Sequence, residues 1–168
     1  MNFHNITHDD MNNGDGLRVV LWVAGCEHHC KGCHNPVTWN ADDGAEFTFK
    51  DAEEIFRELE KDYIAGVTFS GGDPLHPANR EDVRNLIDFI KNLYPDKTVW
   101  VYTGYTWEEI MEISELMTLM GMVDVLVDGR FVNELKDVTY PWAGSTNQRV
   151  IDVQKTIKEG RVILHEHH

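Results

Sequence analysis

Continuous apolar runs alternate with helically spaced apolar residues along most of this chain. Residues 19–23 form an apolar, largely β-branched run between two glycines, which is typical of a strand buried on both faces. The same reasoning predicts three further strands, each bounded by glycine or turn residues, at 67–70, 99–103 and 123–127. The pattern weakens after residue 130, where it predicts strands at 150–153 and 162–164 joined by a polar turn at 154–160.

Stripes of apolar residues at helical spacing separate the predicted strands. Asp51 with Glu54 has the form of a capping box and predicts the start of a first helix, which Gly66 ends. A second helix stops before Pro95, because proline cannot continue a helix. Thr106 with Glu109 predicts the start of a third helix. Its buried stripe, taken as one continuous helix, consists of Ile110, Ile113, Leu116, Met117 and Met120.

This alternation predicts an α/β fold with a parallel sheet and right-handed crossovers. One domain over residues 1–168 is expected, with the weakest patterns at 1–15 and 154–168. Ligand sites in such sheets lie at the carboxyl ends of the strands. The four loops expected to converge there begin with the cysteines at 26–33 and continue with 71–74, 103–104 and 128–129.

The charge balance narrows the range of partners. The chain has 168 residues and a formal net charge of -14, which repels phosphate backbones and anionic lipid. Nucleic acid is therefore not an expected partner. The longest apolar run, residues 19–24, is far shorter than the roughly 20 residues that a membrane span needs, so we expect no membrane association and a cytoplasmic location.

All three cysteines lie within one eight-residue stretch, at Cys26, Cys30 and Cys33. An odd count at such short spacing excludes a disulfide framework and favours a metal or redox site. Three thiolates leave one position of an iron-sulfur cluster open for a ligand. Zinc held by the three cysteines and one histidine fits the thiols equally well, with the fourth ligand taken from His28, His29 and His34.

The Cys-x3-Cys-x2-Cys spacing, followed by Gly71-Gly72-Asp73-Pro74 after the next strand, resembles the radical S-adenosylmethionine enzymes. The resemblance implies a partial, incompletely closed (βα) barrel in which the three cysteines hold a [4Fe-4S] cluster. It also implies that S-adenosyl-L-methionine chelates the fourth iron and that Gly71, Gly72, Asp73 and Pro74 bind its amino group. Glycines suit this role because the backbone can approach a ligand closely.

One position departs from that superfamily. Many members carry an aromatic residue just before the last cysteine, where it packs on the adenine, and this chain has Gly32 there. We expect His34 or another residue of this loop to supply the adenine contact instead.

The segments at 13–18 and 33–36 resemble the glycyl-radical-enzyme activases. Those at 125–131, 134–137 and 142–149 more narrowly resemble the activating proteins of anaerobic ribonucleoside-triphosphate reductases. The resemblance covers about residues 5–153 and implies that the chain generates a glycyl radical on that reductase, with a flavodoxin-type protein as electron donor.

Alternatives stay open for the cation site and for the function of the cysteines. Thr103 and Asp128 occupy positions similar to those where a related activase holds a monovalent cation near the cofactor, but both residues also suit helix caps or turns. The cysteines also fit a short radical enzyme that acts on a small molecule, such as a 7-carboxy-7-deazaguanine synthase. They equally allow a structural zinc-binding interaction module.

Overall fold

The computed structural model describes residues 1–33 and 36–166, which form an α/β fold around one seven-stranded sheet. The strands are β1 (Asn2–Asp10), β2 (Leu17–Val23), β3 (Ala45–Glu46), β4 (Ile64–Gly71), β5 (Thr98–Tyr102), β6 (Val125–Asp128) and β7 (Arg149–Asp152). The helices are α1 (Phe49–Leu59), α2 (Arg80–Leu93), α3 (Trp107–Met111), α4 (Ser114–Met120) and α5 (Val153–Glu159). Within the described residues, no helix has both the length and the apolar character that a membrane span requires.

The strand order is β3-β1-β2-β4-β5-β6-β7. The central strands β2, β4, β5 and β6 pair in parallel, which confirms the predicted α/β core. Antiparallel strands extend it on both sides, β1 and β3 beyond β2, and β7 beyond β6. The order ends at β3 and β7, so the sheet stays open over the part of the chain described.

The two faces of the sheet have different surroundings. Alternate residues such as Val99 and Val101 face the helices and belong to the main hydrophobic core. Their neighbour Trp100 faces the other way, into a smaller cluster covered by Trp142 and Ala143. This second face therefore carries a segment from the 131–148 connection in place of a layer of helices.

Two predicted boundaries near α1 are wrong. The helix begins at Phe49, and Asp51 is its third residue, with a carboxylate that accepts from the Thr48 N–H at 2.8 Å. The capping box is therefore formed by Thr48 and Asp51, and Glu54 has no part in it. Gly66 lies inside β4 and does not end a helix. A Cβ on Gly66 would lie 2.0 Å from the Thr98 carbonyl oxygen, so close strand packing explains this glycine.

Three predictions in the second half also need correction. The stripe from Ile110 to Met120 is divided between α3 and α4, because Ile113 leaves the helical conformation and becomes the N-cap of α4. Residues 154–160 form most of α5 and its cap, since the Asp152 carboxylate accepts from the Lys155 N–H and Gly160 ends the helix at φ 73°. The predicted strand at 162–164 is reduced to a single bridge between Leu164 and Ile151.

Arg18 joins the central strands from within the second face of the sheet. Its side chain is fully buried and donates to the hydroxyl groups of Thr68 at 2.8 Å and Thr98 at 2.9 Å. It also donates to the carbonyl oxygens of Asp15, Val67 and Thr98. Burial lowers the pKa of Arg18 to about 10, so the guanidinium stays charged near neutral pH, and these uncharged oxygens replace the water that burial removes.

We expect Arg18→Met to destabilise the fold, because it leaves the buried Val67 carbonyl and the partly buried Thr98 carbonyl without this donor. The expected loss in the free energy of unfolding is about 2–4 kcal/mol, measured by urea denaturation. Arg57→Met is the matched control, since Arg57 is exposed on α1 and its replacement should change stability by less than about 0.5 kcal/mol. Equal unfolding midpoints for the two variants would contradict the role given to Arg18.

Candidate functional site

The loops that follow the four parallel strands line one cavity of about 610 Å³. This volume lies in the range typical of small-molecule and cofactor sites, about 300–1,000 Å³. The residues from these loops that line the cavity include Cys26, Cys30, Cys33, Gly72, Thr103, Gly104 and Gly129.

The three cysteines border this cavity and form no disulfide bond. Burial raises the pKa of Cys26 to about 11, while the backbone N–H groups of His28 and His29 act in the opposite direction. Burial also raises the pKa of Cys30. In residues 1–33 and 36–166, no three cysteine, histidine or acidic side chains are gathered closely enough to enclose a metal ion as they stand. The three sulfur atoms therefore share one cavity.

The double-glycine turn after β4 packs directly on the backbone that leads into the cysteine loop. The Gly72 N–H donates to the Val23 carbonyl oxygen at 2.8 Å. Gly71 has φ 99°, and a Cβ on Gly72 would lie 2.5 Å from the carbonyl oxygen of Gly25. Only glycine allows this approach at both positions, and the contact fixes the two loops against each other.

The carboxylate of Asp73 is buried and fully engaged within the protein. Nε2 of His28 lies 2.7 Å from Oδ2, and the Thr103 hydroxyl donates to both oxygens at 2.9 and 3.0 Å. The N–H groups of Gly104 and Leu75 donate at 3.0 and 2.9 Å. Asp73 therefore connects the loops after β2, β4 and β5.

Several of the cofactor-binding residues predicted from the sequence are not available at the cavity surface. Asp73 and Pro74 are buried and do not line the cavity, so only the glycine half of that segment faces it. Thr103 lines the cavity, but its hydroxyl proton is directed to Asp73. His34, the expected adenine contact, lies outside the described residues.

Asp128 also has its partners within the fold. Arg149 donates to both carboxylate oxygens, at 3.1 Å from Nε and 2.6 Å from Nη2. The Trp107 N–H, at the start of α3, donates at 2.8 Å. These contacts favour the helix-cap reading of Asp128 over the cation-ligand reading.

Gly32 has a structural reason to be glycine. Its φ is 78°, and a Cβ there would lie 2.7 Å from Oδ1 of Asn133. An aromatic residue at this position would have to displace Asn133 and adopt a left-handed backbone.

Sequence reasoning did not identify the aromatic and apolar part of the cavity. Tyr102, Trp22 and Trp142 line its interior, and the exposed Met11 and Val138 lie at its edge. The Tyr102 hydroxyl is buried without a hydrogen-bond partner within the described protein. Tryptophans in a strand or loop usually indicate core packing, so the sequence carried no signal that these residues face a cavity.

Comparison with known proteins adds the family to this geometry. A family defined as a 4Fe-4S single cluster domain matches residues 12–151. The anaerobic ribonucleoside-triphosphate reductase-activating protein of Enterobacteria phage T4 is 43% identical over 150 residues, which cover 89% of this chain and 93% of that protein. The protein of the same name from Escherichia coli K12 is 41% identical over 152 residues, covering 89% and 97%.

This chain belongs to the family of anaerobic ribonucleoside-triphosphate reductase-activating proteins. The protein of the same name from Vibrio cholerae is 41% identical over 150 residues, which cover 88% of this chain and 96% of that protein. The 4Fe-4S domain, residues 12–151, contains all four loops that line the cavity. An iron-sulfur cluster of the [4Fe-4S] type is therefore the metal group that this domain carries.

Gly72→Ala tests the close contact between the double-glycine turn and the cysteine loop. The added Cβ would collide with backbone atoms of Gly25, which cannot move as a side chain can, so we expect a loss of about 1–3 kcal/mol in unfolding free energy. The matched control is Gly121→Ala, where the nearest atom lies 3.4 Å from the added Cβ. A Gly72→Ala protein as stable as this control would contradict the contact.

Proposed function

We propose that this chain is a radical S-adenosylmethionine activase that generates a glycyl radical on the anaerobic ribonucleoside-triphosphate reductase. The observation that carries the proposal is that three thiols and the double-glycine turn border the same cavity in a member of the activating-protein family. One domain, residues 1–168, performs the whole task. The open sheet with its four parallel central strands supports the proposal that the fold is the partial (βα) barrel implied by the sequence resemblance.

Cys26, Cys30 and Cys33 are the proposed ligands of the cluster. Soft thiolates are the ligands that iron-sulfur clusters use, and three of them leave one iron available to a second ligand. The zinc alternative needs a histidine, but His28 contacts Asp73 and His29 stacks on Trp39 with ring centroids 4.4 Å apart. Neither contact uses both nitrogens of its ring, and His34 lies outside the described residues, so the match to a 4Fe-4S single cluster domain is what favours the three-cysteine cluster.

S-adenosyl-L-methionine is proposed to bind in the part of the cavity that the cluster leaves free. Its ammonium group needs acceptors, and the backbone of Gly71 and Gly72 is the part of the double-glycine segment that faces the cavity. Asp73 acts indirectly in this proposal, by holding the turn in place through its own contacts. Tyr102 has a buried hydroxyl at the cavity that can donate to a bound ligand.

When bound, the reduced cluster would supply one electron to the sulfonium of the cofactor, giving methionine and a 5′-deoxyadenosyl radical that would take a hydrogen atom from a glycine of the reductase, with 5′-deoxyadenosine and a glycyl radical as products. The residues of this chain position the cofactor and exclude water. Trp22, Tyr102 and Trp142 supply the apolar wall that this exclusion requires. A flavodoxin-type protein is the proposed electron donor.

The reductase is the proposed protein substrate, and its glycine would enter at the open edge of the cavity. Met11 and Val138 are 64% and 87% exposed there, and both line the cavity. Apolar residues exposed at the mouth of a site suit a protein partner that covers them. A monovalent cation at Asp128 is not part of the proposal, because Arg149 and Trp107 already occupy its carboxylate.

Replacing any one of Cys26, Cys30 and Cys33 with alanine should abolish the reductive formation of 5′-deoxyadenosine. We expect about four irons per chain and labile sulfide in the wild-type protein after anaerobic purification, and a loss of the intact cluster in each variant. Lys31→Ala is the control, since Lys31 is exposed in the same loop. One colourless zinc per chain in the wild type, or normal 5′-deoxyadenosine formation by a cysteine variant, would contradict the proposal.

The identity of the partner is tested by mixing the reduced protein and S-adenosyl-L-methionine with the anaerobic reductase. Electron paramagnetic resonance should detect a glycyl radical on the reductase, and omission of S-adenosyl-L-methionine should remove it. No radical signal with a competent reductase would instead favour the small-molecule radical enzyme.

A further inference from the structure

Each of the three residues between Cys26 and Cys30 contacts a different part of the site. Glu27 accepts a hydrogen bond from the hydroxyl of Tyr105, in the loop after β5. His28 contacts Asp73 after β4, and His29 stacks on Trp39 in the segment that returns from the cysteine loop. The spacer between the first two cysteines is therefore an anchor for the loop.

The contact between His28 and Asp73 is the most buried of the three. The side chains are 3% and 1% exposed, and Nε2 lies 2.7 Å from Oδ2. Thr103, Gly104 and Leu75 also donate to the carboxylate, so it acts as an acceptor throughout and Nε2 of His28 carries the proton that it donates.

Gly104 leaves space for the imidazole. A Cβ at this position would lie 2.3 Å from Cδ2 and 2.7 Å from Nε2 of His28. The ring also packs edge-on against Tyr105, with centroids 4.7 Å apart. The imidazole is therefore confined on one side by Gly104 and held on the other by Asp73.

We propose that His28 is a positioning residue, which fixes the cysteine loop relative to the double-glycine turn so that the cluster and S-adenosyl-L-methionine meet in one geometry. This inference rests on the proposed function. Asp73 directly follows Gly72, so the position of His28 is set by the turn that receives the cofactor. Loss of the contact should leave the three thiols and the cluster in place, but should weaken binding of the cofactor.

The experiment compares the wild type with His28→Ala, Gly104→Ala and the double variant. Iron content reports cluster assembly, and the change that S-adenosyl-L-methionine produces in the electron paramagnetic resonance spectrum of the reduced cluster reports its binding. Each single variant should keep its iron and bind the cofactor about tenfold more weakly, which corresponds to about 1.4 kcal/mol. Gly104→Ala acts here only by displacing the ring, so the double variant should be no weaker than His28→Ala.

Two further variants separate positioning from general damage. His28→Gln places an amide N–H near the position of Nε2 and should restore most of the affinity. His8→Ala removes histidine contacts of similar length, 2.7 Å to Glu54 and 2.6 Å to Glu58, among residues that do not line the cavity, and should leave cofactor binding unchanged.

The outcomes distinguish this inference from the proposed function. A wild-type spectrum that does not respond to S-adenosyl-L-methionine overturns both. If the wild-type spectrum responds, unchanged cofactor binding in His28→Ala overturns the role of His28 alone. The same holds if the double variant binds the cofactor more weakly than His28→Ala by the full factor that Gly104→Ala causes by itself. Loss of the cluster in His28→Ala and also in His28→Gln would likewise overturn it, because the residue would then serve cluster assembly.

Discussion

The site depends on the direct contact between two backbone segments, the double-glycine turn and the chain that enters the cysteine loop. Val23 and Gly25 accept hydrogen bonds from the N–H groups of Gly72 and Asp73, at 2.8 and 2.6 Å. No side chain fits between these segments, since a Cβ on Gly72 would overlap the Gly25 carbonyl oxygen. The relative position of the cysteines and the turn is therefore set by the sheet, because β2 and β4 are neighbours in it.

Asp73 extends this contact to a third loop. A buried carboxylate is unfavourable unless charge-assisted hydrogen bonds surround it, and here the donors come from the loops after β2, β4 and β5. The desolvation cost is therefore offset only when the three loops are in place together. An aspartate whose sequence position suggests a cofactor ligand thus acts as a structural junction, and the glycines before it are left to face the cavity.

The sequence predicted the central strands and the convergence of their loops because both follow from local patterns. Residues 19–23 are an apolar run typical of a buried strand, residues 67–70 alternate apolar with small polar side chains between glycines, and parallel neighbours bring the ends of these strands together. β1 was not predicted, since register shifts on both sides of residues 5–7 interrupt its alternation and few of its residues are apolar. The partners of Asp73 and Asp128 depend on residues distant in sequence, such as Arg149, and no local spacing indicates them.

The two kinds of cavity wall correspond to two separate requirements of the proposed chemistry. Backbone of the double-glycine turn and three thiols form one part, whereas Trp22, Tyr102 and Trp142 form the other. The first part is rigid because main-chain contacts and a buried carboxylate hold it. The second part is built from the open face of the sheet and from the 131–148 connection, whose Val138 reaches the surface. In the proposed chemistry, the wall of thiols and glycine backbone would hold the small cofactor, while a protein chain would approach past the aromatic wall. A closed barrel of the same size would obstruct that approach.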